Sequence, residues 1–168
     1  YIIKVQKNRE TAKHEVEIGK KIKKISGYNQ YFAPILETCD VSIRDLKNPE
    51  EAKKCEFMEN AEEIMDKQYE SNRIRYIGKN TLGEYLVQET GNISQIESFY
   101  RKMININLSI LMGISKLNAG NIMHFDIKEN NIMCKDKSGR PILIDFGLSV
   151  DTTNIMTKEV NAREIFFS

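Results

Sequence analysis

A short stretch near the end of this chain constrains its fold more than any other feature. Residues 124–131 read His-Phe-Asp-Ile-Lys-Glu-Asn-Asn, and Ile144-Asp145-Phe146-Gly147 follows. Between them lie two apolar runs, Ile132-Met133-Cys134 and Pro141-Ile142-Leu143-Ile144, joined by Asp136-Lys137-Ser138-Gly139. The runs predict two short strands, and the Asp, Ser and Gly supply the turn between them. The candidate functional residues of this stretch are Asp126, Lys128, Asn131 and Asp145. A loop whose Asp and Asn merely cap local turns accounts for one of these residues, not for the set in register.

The segment before this unit reads as a long helix. Ser94-Gln95-Ile96-Glu97 is a capping box. Phe99, Met103, Ile106, Ile110, Leu111, Ile114 and Leu117 then form an apolar stripe, with Gly120 near its end. Those Met and aromatic positions fit a core face. Further upstream, Ile2 to Gln6 predicts a strand. Asn8 can cap a helix over residues 11–25, with Ala12, Val16, Ile18, Ile22 and Ile25 near one stripe. A strand to Val41 follows Phe32-Ala33-Pro34-Ile35-Leu36. Asn48-Pro49-Glu50-Glu51 predicts the start of a charged helix reaching to about Tyr69. Residues 73–78 and 84–89 predict a hairpin around Gly78 and Gly83.

Composition removes several classes. Lys and Arg number 25 against 24 Asp and Glu, so the chain lacks the basic excess of a dedicated nucleic-acid binder. That balance averages a front of 8 basic and 3 acidic side chains (residues 1–25) with a stretch of 11 acidic and 5 basic (residues 37–70). No apolar run is long enough to span a membrane as a helix, and Tyr1-Ile2-Ile3-Lys4-Val5 lacks the layout of a signal peptide. Cys39, Cys55 and Cys134 are scattered and far from His14 and His124. They predict neither a zinc site nor a disulfide framework, and fit a reducing, cytoplasmic compartment. No G-x-G-x-x-G, Walker A or G-x-S-x-G motif occurs.

The paired motifs resemble those of the eukaryotic-type protein kinases, whose catalytic loop reads H-R-D-L-x-x-x-N and is followed by D-F-G on the next hairpin. The resemblance implies an α+β, bilobal fold with ATP in the cleft between the lobes. By it, Asp126 accepts the substrate hydroxyl's proton, Lys128 steadies the γ-phosphate, and Asn131 and Asp145 hold Mg²⁺. Lysine at position 128 resembles the Ser/Thr-specific members, which implies a protein Ser/Thr substrate. Ile2-Ile3-Lys4 looks like the end of V-A-I-K, making Lys4 the α/β-phosphate lysine. Glu15 is its partner on the next helix, with Glu17 the alternative. Gly19 stands where the family has a bulky apolar residue. Leu86 to Gly91 resembles the hinge, with Gln88 as gatekeeper, the backbone of Glu89 and Gly91 at the adenine, and Met133 beneath it.

On this reading residues 1–88 are the small lobe, with an insertion at about 42–78. Residues 89–93 are the hinge and 94–168 begin the large lobe. The Gly-rich loop would precede Tyr1 and further helices would follow Ser168, so the chain reads as the catalytic middle of a longer protein. Phe125 replaces the Arg that pairs, in the family, with a phosphorylated activation loop. Activation is therefore expected without phosphorylation of Thr152, Thr153 or Thr157. Glu129-Asn130 replaces the common Pro-Glu. His-Phe-Asp-Ile-Lys also resembles kinases carried by large DNA viruses. Two rivals share the fold: a pseudokinase that binds without catalysis, and a small-molecule phosphotransferase like the aminoglycoside and choline kinases.

Overall fold

The computed structural model describes residues 2–6, 9–42, 68–91, 96–136 and 138–153. The front of the chain forms a three-stranded antiparallel sheet. Its strands are β1 (Ile2–Gln6), β2 (Ile35–Ser42) and β3 (Gln68–Ile74), in the order β1-β3-β2. The last strand in sequence is thus the central one, and it sets Asn72 opposite both Lys4 and Thr38. The insertion expected at 42–78 narrows accordingly, because 68–74 belongs to the sheet. Residues 43–67, with the charged helix expected from Asn48, lie outside the described residues.

Helix α1 (Arg9–Ile22) packs against β2 and buries Ala12, Glu15, Ile18 and Ile22. Asn8, its expected cap, lies outside the described residues. A Cβ on Gly19 would stand 3.2 Å from the Ile35 carbonyl oxygen. No bulky side chain fits there, so the helix lies directly on the start of β2.

Residues 31–33 join the sheet to the rest of the molecule. The Leu143 N–H donates to Tyr31 O at 2.8 Å, and the Ala33 N–H donates to Leu143 O at 3.0 Å. Phe32, wholly buried, sits between these bonds. Around it one core gathers Ile22, Leu117, Ile122, Leu143 and Phe146 from both halves of the chain.

Beyond β3 the chain differs from the hairpin expected at 73–89. Residues 84–89 are not a strand. They lie in helix α2 (Leu82–Gly91), and an extended connector runs over residues 75–81. The cause is a capping box at Thr81-Leu82-Gly83-Glu84. The Thr81 N–H donates to Glu84 Oε2 at 2.7 Å, and the Glu84 N–H returns to Thr81 Oγ1 at 3.3 Å. Two orphan donors of the first turn are satisfied, which favours helix over strand for the apolar residues that follow.

Helix α3 (Ile96–Ala119) is the expected long helix, though Ser94 lies outside the described residues. It buries Ile106, Gly113 and Leu117, whereas Leu111, expected on the same stripe, is 61% exposed. Strands β4 (Ile122–Met123) and β7 (Val150–Asp151) pair with each other, as do β5 (Ile132–Cys134) and β6 (Pro141–Leu143). Among the described residues no helix is long and apolar enough to cross a membrane.

Cysteine exposure gives a first expected result. Cys134 is buried, and desolvation pushes its thiol up to about 11, while Cys39 is exposed. The thiolate is the reactive form. Brief iodoacetamide treatment of the native protein at neutral pH, read by peptide mass spectrometry, should label Cys39 and spare Cys134. Equal labelling would place Cys134 at the surface and contradict the β5–β6 packing.

Candidate active site

The loop 124–131 is slung between β4 and β5, and both ends are fixed by strand pairing. His124, at its head, is 4% exposed. Its Nε2 lies 3.1 Å from the Ile144 carbonyl oxygen, and its Nδ1 lies 3.3 Å from the Asp126 amide nitrogen. A carbonyl only accepts and an amide N–H only donates, so the ring carries its proton on Nε2. Burial lowers the His124 pKa, which suits this neutral form. The ring also packs against Phe146, with centroids 4.9 Å apart. His124 thereby ties the loop to Asp145-Phe146-Gly147.

Asp126 Oδ2 accepts from Asn131 Nδ2 at 2.6 Å and from Lys128 Nζ at 2.9 Å. Asn131 Nδ2 also donates to the Asp126 carbonyl at 2.9 Å, which closes the loop on itself. The hydrogen bond from Lys128 holds the Asp126 carboxyl below the usual carboxylate range. Phe125 and Asp145 have φ of 59° and 57°, left-handed values that cost a non-glycine residue on the order of 1 kcal/mol each. Both residues flank the groups that would do the chemistry, and the surrounding bonds hold them there.

The front half supplies the third side of the site. Lys4 Nζ lies 3.2 Å from Glu15 Oε2 and 3.3 Å from Asp145 Oδ1. Burial works against the Lys4 charge, but the Glu15 and Asp145 carboxylates outweigh it and raise the Lys4 pKa. The partner in the structure is Glu15; Glu17 is exposed. Directly opposite Lys4 in the sheet stands Asn72, wholly buried, whose side-chain amide has no hydrogen-bond partner among the described residues. Cross-strand partners share a face, so this buried amide sits beside Lys4 on the same side of the sheet.

Of the residues expected at a nucleotide, Met133 is half-buried and bridges to Thr81, at the end of the connector. The Cys134 N–H donates to Asn80 O at 3.0 Å. Gly78 lies so close to this strand that a Cβ would meet the Cys134 carbonyl oxygen at 2.3 Å, so a side chain there would push the connector off β5. Gln88, Glu89 and Gly91 are not in an extended hinge. All three lie in α2, where Gln88 accepts from Asn80 Nδ2 at 2.9 Å and Glu89 accepts from Lys102 Nζ at 2.5 Å. The helical backbone N–H groups of that segment are engaged within the helix, and the extended backbone between the sheet and α2 is residues 75–81. Residues 92–93 lie outside the described residues. The signal that distinguishes the two positions was present in the sequence: Thr81-x-x-Glu84 is itself a capping box.

A family model described as the protein kinase domain matches residues 74–165. Residues of this chain are also similar to a probable serine/threonine-protein kinase, mkcD, of Dictyostelium discoideum, with 43% identity over 61 residues. That match covers 36% of this chain and 9% of the relative, so the chain spans a small part of the relative's length. The family match spans more than half of an α+β chain that also carries the loop and the D-F-G turn, and the chain belongs to the protein kinase domain family.

Proposed function

We propose that the chain carries the catalytic centre of a protein serine/threonine kinase, which transfers the γ-phosphate of Mg-ATP to a protein hydroxyl. The observation that carries this reading is the Lys4 amino group, within 3.3 Å of both Glu15 and Asp145. One cation links the sheet, α1 and the D-F-G turn, and it faces where nucleotide phosphates would bind. The backbone of the connector, residues 75–80, takes the adenine-facing role that the sequence assigned to Glu89 and Gly91. Met133 lines the cleft beside it.

Phosphoryl transfer asks for alignment and charge neutralisation more than for covalent chemistry. Asp126 Oδ2 is occupied by Lys128 and Asn131, while its Oδ1 makes no hydrogen bond among the described residues. Oδ1 is the atom that orients the substrate hydroxyl and takes its proton. The lowered pKa of Asp126 makes it a weak base, so the proton moves late, as phosphate bonding advances. Lys128 holds the carboxylate and lies ready for the transferred phosphate.

The donors also fit magnesium. Asp145 offers a carboxylate whose side chain is 45% exposed. Asn131 has committed its Nδ2 to Asp126, which leaves the amide oxygen as its cation-binding end. These are the hard oxygen ligands that Mg²⁺ takes alongside phosphates. When bound, the ion neutralises phosphate charge.

The test is to incubate the full-length protein with γ-labelled ATP, magnesium and mixed protein substrates. Label in seryl or threonyl residues is the expected result. Nucleotide binding without transfer would overturn the reading in favour of a pseudokinase, and label in small molecules alone would favour a small-molecule phosphotransferase. A pH dependence follows from the Lys128 bond. Asp126 stays ionised below the usual carboxylate range because Lys128 stabilises the charged form. Lys128→Met should therefore move the acid limb of the kcat/KM profile to higher pH, besides lowering its plateau. An unmoved limb would show that Asp126 does not set it.

A further inference from the structure

We propose that His14 and Lys21 are positioning residues that clamp α1 to the segment after D-F-G, Lys21 through an ion pair with Asp151. His14 Nε2 lies 2.7 Å from the Ser149 carbonyl oxygen, which can only accept, so the ring donates. Seven residues on, Lys21 Nζ forms an ion pair with Asp151 Oδ2. Residues i and i+7 lie on one helical stripe, about 10 Å apart along the axis. Residues 149–151 run extended beside that stripe, so the two contacts are the ends of one seam.

The far side of the seam is firmly held. Asp151 pairs with Ile122 through the β4–β7 ladder, and the Thr152 N–H donates to Asn121 O at 2.8 Å. Ser149 is wholly buried, and its hydroxyl donates to the His124 carbonyl oxygen at 3.3 Å. The Asp151 carboxylate is oriented from behind: its Oδ1 accepts the Thr153 N–H at 3.1 Å and the Thr153 hydroxyl at 2.5 Å. That leaves Oδ2 aimed at Lys21. The seam therefore fixes α1 to the half of the molecule that carries Asp126 and Asp145.

The consequence for the site is direct, because His14 is the immediate neighbour of Glu15. Anchoring His14 sets the rotation and height of α1, and with them the Glu15 carboxylate that meets Lys4.

This inference rests on the kinase reading for its effect on rate, and the experiment separates the two. In the full-length protein, Lys21→Met and His14→Phe remove the charge and the donor while keeping bulk. Each should lower kcat at saturating ATP by about 5- to 20-fold, the lower part of the range typical of coupling between sites. Lys21→Arg and His14→Gln, which keep the charge or the donor, should retain most of the rate. Hydrogen exchange at the α1 amides should quicken in Lys21→Met and His14→Phe and not in the conservative pair. Unchanged exchange and kcat in the first two variants would overturn the clamp. If the wild type transfers no phosphate, the kinase reading fails and hydrogen exchange alone still decides whether the clamp exists.

Discussion

Asp126→Asn should lower kcat by about 10²- to 10⁴-fold, the usual contribution of a positioned general acid–base group. The substitution is isosteric, so the loss is chemical. In the wild type Oδ2 faces two donors, Lys128 Nζ at 2.9 Å and Asn131 Nδ2 at 2.6 Å. An asparagine must turn its oxygen toward those donors and its NH₂ toward the substrate. A hydroxyl that should be giving up a proton then meets a donor instead of a base. Stability should change little. The lost pairing with Lys128 is largely solvent-exposed, and such pairs are worth about 0–1 kcal/mol. ATP affinity, which the proposed reading assigns to Lys4 and the connector, should also hold. Steady-state kinetics beside a thermal melt of the same preparation checks this. A variant keeping more than a tenth of wild-type kcat would remove Asp126 from the chemistry.

Phe32→Ala should cost about 3–5 kcal/mol of folding free energy, the usual penalty for deleting a fully buried aromatic ring. Against a typical total of about 5–15 kcal/mol that is a large share. The ring is 0% exposed and meets Phe146 edge-on, at 6.2 Å between centroids and 83° between planes. Its backbone neighbours carry the two hydrogen bonds to Leu143 that join the sheet to the second half. The cavity would open beside Phe146, so Asp145 should lose its placement before the whole chain unfolds. Urea titration of the full-length protein should show a lower midpoint, together with weaker nucleotide binding. A shift worth less than about 1 kcal/mol would mean the two halves are held mainly by something other than this ring.

The catalytic loop and D-F-G turn were legible in the sequence because their determinants are local. Asp126, Lys128 and Asn131 bond to one another within a few residues, and short strands flank them. Lys4 and Glu15 were legible through the strand and helix that carry them, although the helix begins at Arg9 and ends at Ile22, short of its expected end. What misled was the span 82–91. Tyr85-Leu86-Val87 after Gly78 and Gly83 reads as one arm of a hairpin, but a short apolar run does not distinguish strand from helix. The Thr81–Glu84 box decided it. The central position of β3 was not legible at all, since strand order depends on contacts across 25 (β2–β3) and 61 (β1–β3) residues of intervening chain rather than on any local pattern. Leu111 was misassigned for a related reason: α3 is apolar over more of its circumference than the core covers, and only tertiary packing selects the buried stripe.

Sequence separation has a further consequence for the Lys4–Asp145 contact. The two residues stand 141 positions apart, whereas Asp126 and Asn131 are separated by five. Closing long loops comes late in folding, because its entropy must be met before distant contacts return anything. On the ribosome, the β1 lysine would wait for nearly all of the described chain before meeting the carboxylate beside which it works. A nascent or nicked chain would hold a finished catalytic loop and an unassembled phosphate site. Inertness during synthesis would then follow from topology alone, without an inhibitor or a chaperone to enforce it.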